Sequence, residues 1–414
     1  MTMGETTEYA SVRRARELVL EHVRPGPVVR VPLRDGLHRW LAEPVVTDVD
    51  YPPFDKAMMD GYAVCWEGAD VEVTGGEFRI VGQVAAGEAG QARTLGRGEA
   101  MQINTGAPIP AGTDAVVRVE DTRLSEDGAT VQVSGSLAAG MNIDGRAKYV
   151  SAGAVVLEAG TRMTPGCLAV AAAAGAAEIA VYRVPRVAIL VTGNELVDPP
   201  VKPSGGQIRN SNGPMLAALV RDAWAEPIEM GVIGDDRAAL RAGVERGLSA
   251  DILCVSGGVS MGAFDFVPEI LTACGVRTIV RKLALKPGKP SLFGMSETGT
   301  CVFGLPGNPI GSFVAFWLLV RLAIEARQGQ RISAPEGVRA ALGNACTPTR
   351  DRETYWPAKL TCDERGGLRV TALSWHGSGD PFGFSRANGL IVRPPNSAAA
   401  SEGDEVMVIP LERL

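Results

Sequence analysis

The sequence predicts a multidomain α/β protein. From Pro185 onward, β-branched segments alternate with segments whose apolar residues recur at helical spacing, which is typical of a parallel sheet covered by helices. Short β-branched runs broken by Gly, Pro and Asp precede this region, and similar runs follow Pro335. The 414 residues exceed one typical domain and 46% of them are hydrophobic, so we expect more than one packed core.

Local patterns predict the individual elements in order. Ser11 precedes apolar residues at helical spacing, so an N-capped amphipathic helix is expected to run to Val23. Thr164-Pro165 predicts the start of an alanine-rich helix, which is too short to span a bilayer and is expected to be buried. In the α/β region we expect strands at Val187–Val191, Pro227–Ile233, Asp251–Val255 and Cys301–Phe303, and helices at Met215–Ala225, at Asp236–Leu248 and from an Asn308 cap with Pro309 in its first turn.

These elements divide the chain into four predicted domains. Residues 1–50 return with 145–184 to form one domain, and the β-rich residues 51–144 are inserted in it. Residues 185–330 form the α/β domain. Residues 331–414 form a small terminal β domain, which is large enough to fold as a separate unit.

Composition excludes several classes of function. The formal charge is −6 and no long run of Lys or Arg occurs, so a nucleic-acid binder is not expected. The seven cysteines are scattered without a CxxC pair and there are only three histidines, which disfavours disulfide, zinc and multi-histidine sites. Any metal should be hard and oxygen-bound. Met1 to Ala10 contains two glutamates and no apolar core, so we expect a cytoplasmic protein without a secretory signal or a membrane span.

Three predicted strands end in turns of small residues, TGNE at Thr192, SGGVS at Ser256 and GLPGNP at Gly304. In an open parallel sheet, ligands bind beyond the carboxyl ends of the strands, where free N–H groups suit phosphate. Ordinary tight turns remain the alternative for any single one. The candidate phosphate-binding residues are Ser256, Gly257, Gly258, Ser260, Pro306, Gly307 and Asn308.

Acidic residues adjoin these turns. Glu195, Asp235 and Asp265 stand at strand ends or helix starts, where carboxylates beside phosphate oxygens commonly hold Mg²⁺. Asp235 has a structural alternative as a helix N-cap.

A lysine cluster interrupts this acidic chain. Lys282, Lys286 and Lys289 lie in KLALKPGKP, where two prolines stiffen the loop and favour an anion clamp. A strand with one solvated face is the alternative. Two further turn-rich segments, 54–64 and 104–117, contain acids and hydroxyls, and physical reasoning alone identifies them only as loops.

Together, five motifs resemble the molybdopterin molybdenumtransferase family, whose domains also form the carboxyl-terminal part of gephyrin. The motifs are MDGYAV at Met59, INTGAPIPAGTDAVV at Ile103, SGGVSMG at Ser256, KPGKP at Lys286 and GLPGNP at Gly304. They occur in this order, and the resemblance covers nearly the whole chain.

The resemblance implies an elongated four-domain homodimer with a three-layer α/β domain and a C-terminal β-barrel-like domain. It implies that residues 1–50 with 145–184 mediate dimerisation, and that Asp60 and Thr105 reach into the partner's cleft. Glu195, Asp235, Asp265, Lys282 and Lys286 would belong to the α/β domain. Lys286 and Lys289, with Arg352 and Ser378, are similar to the family's molybdate-holding positions.

The implied reaction consumes adenylylated molybdopterin and molybdate, with Mg²⁺ present, and releases AMP and the metal-loaded pterin. Implied partners are a molybdopterin adenylyltransferase and recipient molybdoenzymes. Alternatives are a tungsten-inserting paralogue and a non-catalytic pterin-binding scaffold. A pterin adenylyltransferase is disfavoured by the extra β domains and the KPGKP loop.

The chain also departs from the family pattern. Tyr149 stands where an acidic residue is expected, Asn194 where Asp usually precedes Glu195, and Gly311 where Ser is usual. Lys56 and Ala57 replace an Asn-Ser pair. Fewer carboxylates and an added lysine predict a less negative cleft and a weaker Mg²⁺ site.

Overall fold

The computed structural model describes residues 9–66, 73–87, 93–259, 266–330, 332 and 337–412. The chain separates into two compact units. One contains residues 31–37 and 43–179, and the other contains residues 1–30, 38–42 and 180–414.

The helices of the described chain lie mostly in the second unit. They are α1 (Val12–His22), α2 (Pro165–Ala173), α3 (Asn212–Asp222), α4 (Arg237–Gly247), α5 (Val267–Ala273), α6 (Pro309–Ala315) and α7 (Arg321–Arg327). A π-helical turn at Phe316–Val320 joins α6 to α7, so the helix is continuous from Pro309 to Arg327. That helix is long and apolar enough to cross a membrane, but most of it is buried inside the protein, as in a core helix.

The strands before the α/β region are short apart from one. They are β1 (Val28–Pro32), β2 (Val45–Val46), β3 (Lys56–Ala57), β4 (Gly61–Cys65), β5 (Val73–Val84), β6 (Glu99–Ile103), β7 (Ala115–Arg118), β8 (Thr122–Leu124), β9 (Thr130–Leu137), β10 (Ile143–Asp144), β11 (Val155–Leu157) and β12 (Glu178–Tyr182). Six of them form a sheet in the order β7-β4-β6-β5-β9-β8. This sheet is the β-rich segment that the sequence predicts within residues 51–144.

The α/β region contains strands at the predicted places. They are β13 (Arg186–Thr192), β14 (Leu196–Val197), β15 (Ile208–Arg209), β16 (Glu226–Ile233), β17 (Ile252–Ser256), β18 (Val276–Val280), β19 (Leu285–Lys286), β20 (Leu292–Ser296) and β21 (Cys301–Leu305). The main sheet has the order β16-β13-β17-β21-β20-β18, and its first four strands are parallel.

Helices cover both faces of this sheet. Successive side chains of a strand point to opposite faces, so neighbouring residues pack in different cores. Ile189 packs in the same core as α3, α6 and α7, whereas the adjacent Leu190 packs in the core that contains α4 and α5. The result is the three-layer α/β fold with a parallel-rich sheet.

The opening helix packs against the long apolar helix of the α/β region. Ser11 caps it as predicted, with the Arg14 N–H donating to Ser11 Oγ at 3.1 Å. Its apolar residues Val12, Ala15 and Val19 join the core that contains Val314 and Phe316. The apolar stripe needs a buried partner, and the helix Pro309–Arg327 provides it.

The alanine-rich helix α2 also differs from its prediction. Thr164 caps it and Pro165 begins it as expected. Only Ala171 of the helix is buried, however, and Val170 is 41% exposed. The prediction of a buried helix is therefore wrong for the single chain.

The C-terminal region closes into a barrel. Its strands are β22 (Val338–Leu342), β23 (Glu353–Cys362), β24 (Leu368–Ala372), β25 (Gly389–Arg393) and β26 (Glu405–Pro410). They pair in the order β23-β24-β22-β26-β25, and β25 returns to β23. The short strand β19, which is part of the lysine loop, pairs with β23 of the barrel. This pairing places the lysine loop beside the barrel.

Candidate functional site

The three small-residue turns lie side by side at one edge of the main sheet. Val191 pairs with Ser256, and Ser256 pairs with Leu305, so β13, β17 and β21 end together. The turns that follow these strands therefore meet at the carboxyl edge, where α/β sheets bind ligands.

A buried asparagine joins two of these turns. The side-chain amide of Asn212 donates to Ser256 Oγ at 2.9 Å and to the Gly307 carbonyl at 2.8 Å. Gly257 has φ +99°, and a Cβ there would lie 2.5 Å from the Thr192 carbonyl oxygen. Only glycine fits this position, because both the backbone conformation and the close approach exclude a side chain.

Asp235, which follows β16, is hydrogen-bonded to the first of these turns. Thr192 Oγ1 donates to Asp235 Oδ1 at 3.1 Å and the Asn194 N–H to Asp235 Oδ2 at 3.4 Å, while the Asp235 N–H donates to Asn194 Oδ1 at 3.0 Å. Asp235 is not a helix cap, because Asp236 caps α4 by accepting from the Ala239 N–H at 2.7 Å.

The remaining acidic candidates are placed unequally. Glu195 is exposed beside Gly193, whereas Ser260 and Asp265 lie outside the described residues. Among the residues that the structure describes, no three His, Cys, Asp or Glu side chains are grouped to hold a metal ion.

The lysine loop is anchored by its apolar residues. Leu283 and Leu285 are fully buried, and Leu285 and Lys286 pair in parallel with Glu353 and Thr354 of β23. The Leu283 N–H donates to the Lys289 carbonyl at 3.0 Å, which closes the loop. The alternation of buried and exposed residues that the sequence left open as an alternative is present, and it leaves Lys286 and Lys289 exposed.

A cavity of about 490 Å³ lies between this loop and the barrel. Six of the residues predicted from the sequence line it: Lys286, Lys289, Pro306, Asn308, Arg352 and Ser378. No carboxylate of the described chain lines it, so three cations face a space without a balancing negative charge. The only ion pair described for Arg352 is a loose one with Asp351 at 3.7 Å. Such a cavity is suited to an anion.

The first turn of α6 forms one wall of this cavity. Asn308 occupies the N-cap position and Pro309 begins the helix, but the Asn308 side chain makes no capping bond. It donates instead to Ser378 Oγ at 3.0 Å, and the Ser378 carbonyl accepts from the Ile310 N–H at 3.2 Å. Gly311 also lines the cavity, and a Cβ there would lie 3.2 Å from Pro306 Cβ.

A second cavity, of about 470 Å³, lies on another side of α6. Its walls are mainly apolar and include Phe313, Trp317 and Phe384. Among the described residues, its lining includes no predicted site residue and none of the cations that an oxyanion or a phosphate requires.

Asp60 and Thr105 come together in the other compact unit. Gly61 of β4 pairs with Ile103 of β6, which places the preceding and following residues side by side. The Thr105 N–H and hydroxyl donate to Asp60 Oδ1 at 2.7 and 3.0 Å. The bond from the backbone N–H of Thr105 lowers the pKa of Asp60 most, and the bond from its hydroxyl adds to this. The exposed carboxylate is therefore charged at neutral pH.

Two of the departures from the family pattern meet at Asp144. Lys148 Nζ donates to Asp144 Oδ1 at 2.5 Å and the Tyr149 hydroxyl donates to Oδ2 at 2.6 Å, while Lys56 Nζ lies 4.0 Å from Oδ2. The bonds from Lys148 and Tyr149 lower the pKa of this buried carboxyl. The charge of Lys56 is therefore offset locally.

Sequence reasoning missed part of the cavity wall. Thr347, Thr354, Trp356 and Trp375 line it, and none of them was a candidate. Thr354 and Trp356 share the strand face of Arg352, because side chains two residues apart point the same way. That alternation could have identified both residues, but no sequence signal distinguishes Trp375.

Comparison with known families divides the chain into three matched regions. Residues 10–175 match the MoeA N-terminal region (domain I and II), residues 188–326 a probable molybdopterin binding domain, and residues 339–411 the MoeA C-terminal region (domain IV).

Similar proteins and structures cover most of the chain. The molybdopterin molybdenumtransferase of Staphylococcus aureus (strain Mu50) is 32% identical over 96% of this chain and 94% of its own. That of a Nostoc species is 35% identical over 90% and 86%. A crystal structure of the molybdopterin biosynthesis moeA protein from Pyrococcus horikoshii OT3 is 28% identical, covers 97% of this chain and 99% of its own, and has a TM-score of 0.80.

Proposed function

This chain belongs to the molybdopterin molybdenumtransferase family, and from this membership we propose that it inserts molybdate-derived metal into adenylylated molybdopterin and releases AMP. The observation that carries the proposal is the cavity at which Lys286, Lys289 and Arg352 converge and which no carboxylate of the described residues lines. A tetrahedral oxyanion needs positive charge and hydrogen-bond donors from more than one side, and this cavity offers both.

The cavity also has room for more than an oxyanion. About 490 Å³ lies within the range of pockets that hold small organic ligands. Trp356 and Trp375 add apolar aromatic surface to the same cavity, and their ring centroids are 6.3 Å apart. We therefore place the dithiolene end of the pterin at this cavity, with the oxyanion at the lysines and Arg352.

The phosphate groups of the substrate belong at the strand-end turns. Ser256, Gly257, Gly258 and Gly307 lie at the carboxyl edge of the sheet, where backbone N–H groups suit phosphate oxygens. The amide of Asn212 holds two of these turns in register. The rate enhancement would come mainly from positioning and charge stabilisation.

Mg²⁺ fits the adjacent acidic turn. Glu195 and Asp235 supply only oxygen donors, and the reciprocal bonds between Asn194 and Asp235 fix the orientation of that carboxylate. With Asp265 as a third donor, these residues would hold Mg²⁺, which when bound neutralises charge on the phosphoanhydride. Lys282 would add a positive charge on the same domain.

We further propose a cytoplasmic homodimer that retains the four domains predicted from the sequence. The exposed apolar residues Val155 and Val170, in the segment 145–184, support burial against a second copy. In this dimer Asp60 and Thr105 of one subunit would complete the cleft of the other. The adenylyltransferase that makes the substrate and the molybdoenzymes that receive the product would be transient partners.

The test is AMP release from adenylylated molybdopterin by the purified protein with Mg²⁺ and either molybdate or tungstate. Molybdate-dependent release supports the proposed reaction. Release with tungstate alone would indicate a tungsten-inserting enzyme. Nucleotide binding without release under either condition would indicate a non-catalytic scaffold.

A further inference from the structure

Residues 9–11 lie along the lysine loop. Ala10 forms a parallel bridge with Leu283. The Ala10 N–H donates to the Lys282 carbonyl at 3.1 Å, and the Ala10 carbonyl accepts from the Ala284 N–H at 2.9 Å. Ser11 then caps α1, so the backbone next to Tyr9 is held by both the loop and a helix.

The side chain of Tyr9 contacts a cation of the proposed oxyanion site. Lys289 Nζ lies 4.8 Å from the centre of the Tyr9 ring, within the range of a cation–π interaction. Of the polar groups on these two side chains, only the phenol oxygen can accept a hydrogen bond, because an ammonium group only donates.

We propose that Tyr9 is a positioning residue of the oxyanion cavity, and that its ring and hydroxyl hold Lys289 Nζ where a tetrahedral oxyanion binds. The inference rests on the proposed function, because it takes Lys289 as an oxyanion-binding group. Neither composition nor the family motifs point to Tyr9. Its assignment comes from its ring contact and the anchored backbone beside it.

The expected contribution is modest and measurable. A free lysine side chain loses rotamer freedom when it orders around an anion, and this loss weakens binding. Tyr9 orders Lys289 before the anion arrives. Without Tyr9, molybdate affinity should fall by about threefold to tenfold.

The proposal also predicts an effect at alkaline pH. Tyr9 faces the charges of Lys289, Lys282 and Arg352, and its hydrogen bond to Lys289, followed by these charges, lowers the pKa of the phenol. Ionisation would place a phenolate among the cations that hold the oxyanion. Molybdate affinity of the unchanged protein should therefore decline at a lower pH than in a variant without the hydroxyl.

The experiment measures the dissociation constant of molybdate alone, by calorimetry on the full chain across neutral to alkaline pH. Tyr9→Phe removes the hydroxyl, Tyr9→Leu also removes the ring, and Tyr51→Leu is the control because Tyr51 is similarly exposed, at 44% against 39% for Tyr9. We expect Tyr9→Leu to bind molybdate threefold to tenfold more weakly. In Tyr9→Phe, the decline of molybdate affinity at alkaline pH should begin at a higher pH than in the unchanged protein. The control should match the unchanged protein.

A Lys289→Ala variant distinguishes a failure of the cavity assignment from a failure of the role proposed for Tyr9. Weaker binding in Lys289→Ala, together with unchanged affinity and an unchanged pH profile in both Tyr9 variants, would overturn the role of Tyr9 and leave the cavity assignment intact. Unchanged affinity in Lys289→Ala would overturn the cavity assignment and this inference with it. In Lys289→Ala, adding Tyr9→Leu should have no further effect.

Discussion

Replacing Lys286 by alanine tests the oxyanion cavity most directly. Lys286 is exposed, lines the cavity and lies on the short strand β19, whose backbone pairs with β23. The buried neighbour Leu285 anchors the strand, so the substitution should leave the fold intact. What changes is one positive charge and up to three hydrogen-bond donors facing the anion.

The size of the effect follows from the position of Lys286. A hydrogen bond to a charged group contributes about 1.5–3 kcal/mol, whereas an exposed ion pair contributes about 0.2–1 kcal/mol. Lys286 is exposed but shares its anion with Lys289 and Arg352, so we expect about 1–2 kcal/mol. This corresponds to a roughly 5- to 30-fold larger dissociation constant for molybdate, that is, weaker binding.

The assay is calorimetric titration of molybdate at low ionic strength. Lys359→Ala is the matched control, because Lys359 is an exposed lysine on the same sheet and does not line the cavity. Added salt should reduce the difference between Lys286→Ala and the unchanged protein, because mobile ions screen exposed charges. A Lys286→Ala dissociation constant within twofold of the unchanged protein would refute the assignment.

The remaining predictions concern other parts of the chain. Asp60→Asn should abolish most AMP release while preserving the thermal unfolding midpoint, because the carboxylate is exposed and has no core role; retained turnover would contradict the shared cleft. Trp375→Ala should weaken binding of adenylylated molybdopterin in equilibrium titrations but leave molybdate affinity within twofold, and equal losses for both ligands would remove the aromatic wall from the pterin assignment. Gly61→Ala should lower stability by about 3 kcal/mol or more in urea unfolding, since its Cβ would lie 1.8 Å from the Val117 carbonyl oxygen; Gly206→Ala, with open space around it, is the control.

The sequence predicts the α/β region well because its signals are local. Strand ends are marked by small-residue turns, and Pro309 marks the start of a helix within a residue of its observed position. The lysine loop is also predicted, because buried leucines alternate with charged residues. These patterns depend on neighbours in the chain and not on distant packing.

The features that local sequence patterns do not predict depend on distant partners. The amphipathic stripe of α1 predicts a buried face but cannot show that α7 covers it. The apolar composition of α2 predicts burial, yet within one chain most of the helix stays accessible. For the same reason Tyr9 and Trp375 escape detection, since each approaches the site only after residues far apart in the chain have come together.

The departures from the family pattern are compensated where they occur. Lys56 adds a positive charge and Tyr149 removes an expected negative one, but both face the buried carboxylate of Asp144, which satisfies the tyrosine hydroxyl and offsets the lysine. Asn194 removes another carboxylate. Its side-chain oxygen accepts from the Asp235 N–H, and its backbone N–H donates to the Asp235 carboxylate. At each of these positions the substituted residue contacts the acidic residue beside it, so Asp144 and Asp235 keep their hydrogen-bond donors. We therefore expect the cleft to keep both carboxylates in place, with a charge balance shifted toward the binding of anions.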